Sequence, residues 1–154
     1  MNVERALRSE EKPLVFNALL ESGIAPEPVC HEAVETSRLI ALKPSLLRLT
    51  RGIRPLVAYF ALRRRASGIT LGRQVYVRHN LFAKNGDIPL FLLTHEVAHV
   101  VQFIRDGTTP FLVRYLGEYA ARRLQGLSDR HAYLAISYEE EARHAEACLA
   151  SDRD

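Results

Sequence analysis

The chain has no tryptophan, one methionine and two cysteines among 154 residues. Cys30 and Cys148 are too few for the disulfide framework of a small secreted domain, so burial must hold the fold together. One Cys30–Cys148 disulfide is conceivable, and two free thiols in a reducing compartment are the simpler expectation. No run of 18 apolar residues occurs, so no transmembrane helix is expected. The start, Met1-Asn2-Val3-Glu4-Arg5, lacks a basic stretch followed by an apolar one. No secretory signal is read there, and a cytoplasmic location is expected, although export without such a signal is compatible with it.

Acid is missing from one long segment. Residues 36–86 carry 11 Lys and Arg and no Asp or Glu, whereas residues 1–35 carry 7 Glu and 3 basic residues. The net charge of +3 hides this division. The basic block is a candidate polyanion surface, and its simpler reading is compensation by the acidic N-terminal segment packed against it. Hydrophobic residues at 47% and charged residues at 25% describe one ordinary globular domain. It divides into an acidic helical segment (1–35), a basic segment (36–86) and a helical segment (87–150).

Pro13 and Gly23 bracket a first helix, and Pro26 and Pro28 mark a turn. Residues 36–42 fit a short strand or a helix end. Residues 55–66 read as a helix, with Arg63, Arg64 and Arg65 at its carbonyl end. Gly68 to Gly72 and Arg73 to Arg78 read as two short strands joined at Gly72, followed by loop. Asp87 is the expected cap of a helix that Gly107 ends, a rod of roughly 28 Å. Thr109 and Pro110 open the next helix, whose apolar stripe is Phe111, Tyr115, Leu116, Tyr119, Ala120 and Leu124. Residues 126–136 read as loop. Ser137 begins the last helix, in a capping box with Glu140.

The long helix contains His95-Glu96-Val97-Ala98-His99, an HExxH pattern. Two histidines four apart project from one helical face, so their imidazoles can share a metal ion. Glu96 lies beside that ion, placed to take a proton from an attacking water. Val97, Val100, Val101 and Ile104 on the other face anchor the helix. Zinc catalysis needs a third protein ligand. The long histidine version of the motif would place Gly at 102 and His at 105; Gln102 and Arg105 stand there instead, which excludes it. The third ligand then comes from the last helix. Glu139 is favoured, Glu141 is the alternative, and His144 is a further substitute. Gln102 shares the face of His95 and is a candidate to orient substrate or a ligand. Tyr133 and Tyr138 are candidate oxyanion donors or packed aromatics. Otherwise His79, His131 and His144 read as surface or capping residues, and His31 has no visible companion.

Leu92-Leu93-Thr94-His95-Glu96-Val97-Ala98-His99-Val100-Val101-Gln102 resembles the LLxHExxHVVQ core of a family of small bacterial zincin-like proteins. Some members of that family occur with extracellular contractile injection systems. The upstream Gly68–Gly72 hairpin is similar, as is Ala132-Tyr133-Leu134-Ala135-Ile136-Ser137-Tyr138-Glu139-Glu140-Glu141-Ala142 to the family's AYxAIPxExxA segment. Ser137 departs from its usual proline. The likeness spans residues 68–146. It implies Glu139 as third ligand and a metallopeptidase activity without naming a substrate.

The expectation is an α+β, zincin-like domain in which the HExxH helix packs beside a short antiparallel sheet of two or three strands. One or two N-terminal helices and two C-terminal helices flank it. The expected function is peptide or protein hydrolysis with Zn²⁺ held by His95, His99 and Glu139 and Glu96 as base. The rivals are a non-catalytic zinc-containing binding or assembly module, and a protease acting on nucleic-acid-associated proteins.

Overall fold

The computed structural model describes residues 4–42, 67–82 and 85–151. Within them lie six helices and one four-stranded sheet, so the chain is α+β. The expected helix at 55–66, with its arginine triplet, lies outside the described residues, as does most of the basic block.

In chain order the elements are β1 (Glu4–Arg5), α1 (Glu11–Ser22), α2 (Glu27–Thr36), β2 (Arg38–Leu42), β3 (Gly68–Leu71) and β4 (Gln74–Arg78), then α3 (Leu90–Asp106), α4 (Thr108–Leu124), α5 (Asp129–Leu134) and α6 (Ser137–Ser151). α1 buries Val15, Ala18 and Leu19 at helical spacing and ends at Gly23, whose φ of 71° closes the last turn. α2 buries Cys30, Ala33 and Val34.

The sheet order is β1-β2-β4-β3. β3 and β4 form the expected antiparallel hairpin, with Gly68 opposite Val77 and Thr70 opposite Val75. The wholly antiparallel sheet of two or three strands is corrected in two ways. β2 runs parallel to β4, with Leu39 opposite Val75. β1 adds a fourth, antiparallel strand, with Glu4 opposite Ile40. A parallel join needs a long connection between its strands, and no local pattern in residues 36–42 reveals that partner. β3 is an edge strand. Its alternation puts Gly68 and Thr70 on one face, and that face meets α3.

The main core joins the sheet residues Leu39, Val75 and Val77 to Val15 and Leu19 of α1 and to Leu93, Val97, Val100 and Val101 of α3. Ala142 and Ala145 close it from α6. A second cluster, Phe103, Phe111, Ile136 and Tyr138, ties α4 to α3 and α6. Cys30 and Cys148 are both buried and free, so the conceivable disulfide is absent. Arg73 pairs with Glu32, one instance of the expected compensation between the basic and acidic segments. No helix among the described residues is long and apolar enough to cross a membrane.

Four local expectations are corrected. Asp87 does not cap α3, because its carboxylate is taken by Arg8 and Asn85; Pro89 is the residue before the first turn. α4 starts at Thr108 behind Gly107 (φ 86°), so Thr109 is not its cap. The 126–136 loop contains α5, capped by Ser128, which accepts from the His131 N–H. Ser137 and Glu140 form no capping box, because Glu118 of α4 accepts both the Ser137 N–H (2.6 Å) and its hydroxyl (2.8 Å). A carboxylate from a neighbouring helix serves the N-terminal end of α6 as well as a local one does.

Candidate metal centre

α3 is built to carry polar side chains on one stripe and core on the other. Val97, Val100 and Val101 are fully buried, which fixes the rotation of the helix. His95 and His99 then project together, with ring centroids 5.0 Å apart. α6 crosses α3 and delivers Glu139 between them. His95 Nε2 lies 3.1 Å from Glu139 Oε2, and His99 Nε2 lies 3.3 Å from Glu139 Oε1. Among the described residues, these three form the group whose donor atoms, all within 4.8 Å of one another, could hold a metal ion.

Each histidine is oriented from behind. His99 Nδ1 is 2.8 Å from Gln102 Oε1. The Gln102 amide nitrogen donates to the Tyr138 carbonyl (2.9 Å) and to Glu141 (2.8 Å). Both are acceptors, so the amide is turned with its oxygen toward His99, and His99 Nδ1 must carry the proton. His95 Nδ1 is 3.2 Å from Glu146 Oε2 and carries its proton for the same reason. Both Nε2 atoms are thereby aimed at Glu139, the tautomer that a metal-binding histidine requires.

Electrostatics agree with a tightly coupled group. Burial alone would lower the His99 pKa, but the Glu139 charge and hydrogen bond outweigh it and raise it to about 9. Burial would likewise raise Glu139, yet His99 and His95 hold its carboxyl well below the usual range. Two imidazoles and a carboxylate, converging with outer partners already supplied, are a donor set that could hold a metal ion.

Glu96 is 5% exposed and faces the edge strand. Thr70 Oγ1 donates to its Oε2 at 2.8 Å. A Cβ added at Gly68 would lie 2.9 Å from its Oε1, so a side chain there would press on the Glu96 carboxylate. Burial pushes the Glu96 carboxyl up, against the opposing pull of His99 and His95.

The remaining candidates separate cleanly. Glu141 does not reach the group; Gln102 and Arg105 (3.2 Å) hold its carboxylate. His144 is exposed. Gln102 is fully buried and its amide is spent on His99, the Tyr138 carbonyl and Glu141, so it orients His99 and does not face an open cleft. Tyr138 is corrected as an oxyanion donor: its hydroxyl donates to Asp106 (2.9 Å) and its ring packs on Phe111. Tyr133 does face the site. It is 39% exposed, and burial together with the Glu139 charge holds its phenol well above the usual range.

Sequence reading missed Tyr115, Glu146 and Thr70. Tyr115 was placed on an apolar stripe, yet its hydroxyl donates to Glu139 Oε1 at 2.7 Å. A phenol on a buried stripe needs a partner, and that was the available signal. Glu146 lies two turns beyond Glu139 on the same face of α6, as Gln102 lies two turns beyond His95 on α3. Thr70 had no signal beyond sharing a strand face with Gly68.

No family model matches the chain, and neither a curated protein nor a solved structure matches it.

Proposed function

We propose that the protein is a zinc-dependent metallopeptidase of zincin-like architecture, with His95, His99 and Glu139 as the metal ligands. The observation that carries this reading is the convergence of these three donor atoms beside Glu96, a buried carboxyl without a salt-bridge partner among the described residues. The resemblance of residues 92–102 to the zincin-like core supports it. Zinc held there supplies Lewis-acid polarisation of a scissile carbonyl and lowers the pKa of water to about 7.

The chain's own residues do the rest. Glu96 accepts the proton of the attacking water and returns it to the leaving amine. Thr70 and Gly68 fix the position of its carboxylate. Tyr133, half-exposed beside Glu139, supplies a hydroxyl to the developing oxyanion. The outer edge of β3 accepts an extended peptide as an added strand.

Metal analysis of the tag-free protein tests the site. One zinc per chain, lost in His99→Ala and in Glu139→Ala, is expected; no zinc after refolding with the metal would overturn it. Glu96→Gln should keep its zinc and lose at least about 10²-fold of the rate of hydrolysis of a quenched-fluorescence casein. Undiminished hydrolysis by clean Glu96→Gln protein would overturn the mechanism.

A further inference from the structure

α4 turns a second apolar face away from the molecule. Phe111, the one buried residue of this helix, joins the second core cluster, and Tyr115 and Glu118 follow it on the inner side. Leu112, Leu116, Ala120 and Leu124 recur every four residues and are all exposed, with Val113 beside them. Val113 is 67%, Leu116 61% and Leu124 89% exposed. Leucines scattered over a surface need no explanation, but a contiguous apolar row does.

The charges around that row have one sign. Residues 108–127 contain three arginines and one acid, Glu118. Glu118 is spent inward on the Ser137 N–H and hydroxyl and on Arg114, and Arg114 lies over the Tyr138 ring. Arg122, Arg123 and Arg130 are exposed. Arg122 meets the Gln125 amide oxygen and Arg123 the Leu127 carbonyl, both neutral acceptors.

We propose that α4 docks on an anionic lipid bilayer, with its leucine row facing the acyl chains and Arg122, Arg123 and Arg130 among the lipid headgroups. An apolar row edged by arginines and free of acid is what an interfacial helix presents. Arginine side chains reach back to the headgroups while their stems stay with the apolar residues. A second copy is a poorer occupant, because a two-fold pairing of this face would set arginine against arginine with no carboxylate to meet it. Residues 43–66, with seven basic residues and no acid, fail for the same reason. An acidic protein would match the charge. The row is a ridge, however, with Leu124 almost wholly exposed, and a deformable lipid surface takes up a ridge without a preformed groove. The docking needs no metal. The inner side of the same helix carries Tyr115, whose hydroxyl meets Glu139 at 2.7 Å, so the bilayer would lie about 10 Å, one helix diameter, from that contact.

The lack of tryptophan supplies the test. Leu124→Trp places the chain's single indole on the row. The full-length variant is mixed with vesicles of phosphatidylcholine alone and with vesicles of equal parts phosphatidylcholine and phosphatidylserine. Its emission should shift to the blue with the mixed vesicles, far less with phosphatidylcholine alone, and high salt should reverse the shift. Without the indole, co-sedimentation with the mixed vesicles should weaken about fivefold in Arg123→Gln and at least about tenfold in Leu116→Ser. Both side chains are exposed, so the helical circular dichroism should not change. No shift with the mixed vesicles would overturn the proposal. Vesicle binding that Leu116→Ser and Arg123→Gln leave intact would also overturn it, by placing the contact elsewhere on the chain. A shift that appears without lipid as protein concentration rises, with a dimer mass by light scattering, would give the face to a second copy. A shift with polyglutamate and none with vesicles would give it to an acidic protein. Either result overturns the proposal.

Discussion

The two histidines of the motif share one helix face and one carboxylate, but they are held in opposite ways. His99 is backed by a buried amide. Gln102 joins it to the Tyr138 carbonyl and to Glu141, and Arg105 continues the chain from Glu141 to the Ile24 carbonyl (2.8 Å). His95 is backed by one carboxylate, Glu146, whose side chain is 33% exposed. A buried amide with both of its ends engaged fixes geometry, and its loss strands the buried groups it joins. A half-exposed carboxylate raises the basicity of the ring it touches, but water can take its place. Rigidity is thus invested on the His99 side and electronic tuning on the His95 side.

The largest effect should come from breaking the buried side. Gln102→Leu leaves the buried His99 N–H and the Tyr138 carbonyl short of a partner. Buried groups left this way cost about 1–3 kcal/mol each, and Arg105 still serves Glu141, so a loss of about 3 kcal/mol is expected. For a chain of this size that is roughly 6–12 °C in melting temperature. Zinc affinity should fall about 10- to 100-fold, measured by competition with a chromogenic chelator. A variant that melts and binds zinc like the wild type would mean that the network does not hold His99.

Glu146→Ala should separate tuning from stability. The apoprotein should lose under about 1 kcal/mol, because the pair is partly exposed, while zinc affinity drops about tenfold. High salt should narrow the difference between variant and wild type on this side more than on the Gln102 side. Equal stability losses in Glu146→Ala and Gln102→Leu, by chemical denaturation, would remove the asymmetry.

The same contrast explains what the sequence made legible. The His95–His99 spacing, the Gly68–Arg78 hairpin and the ends of α1 and α3 at Gly23 and Gly107 depend on near neighbours, and local pattern reveals them. Gln102 was recognisable as sharing the face of His95, though not that its amide would be spent on His99. Tyr115, Glu146 and Thr70 matter only through partners 24, 51 and 26 residues away. β1 is two residues long and exists through its pairing with β2, and the parallel β2–β4 join depends on a distant strand. α5 has six residues and buries only Ala132, so it carries no apolar stripe for local pattern to show.

The smallest effect concerns the end of α6 that presents Tyr138 and Glu139 to the buried side. Glu118 accepts from the Ser137 N–H and hydroxyl. Burial alone would raise its pKa, but those bonds and Arg114 bring it below its ordinary value of 4.5. A depressed carboxylate contributes stability that is complete above that ordinary value and disappears as pH falls through the lowered one. Glu118→Gln should therefore be less stable than the wild type at neutral pH, and the gap should close on acidification below pH 4.5. Urea unfolding at neutral pH and across the acid range reads this directly. A gap that stays constant would show that the Ser137 bonds, without the charge, account for the whole contribution. A gap that widens in acid would mean that Glu118 holds its proton more tightly in the folded chain than in the unfolded one, and that the N-terminal end of α6 is held by something else.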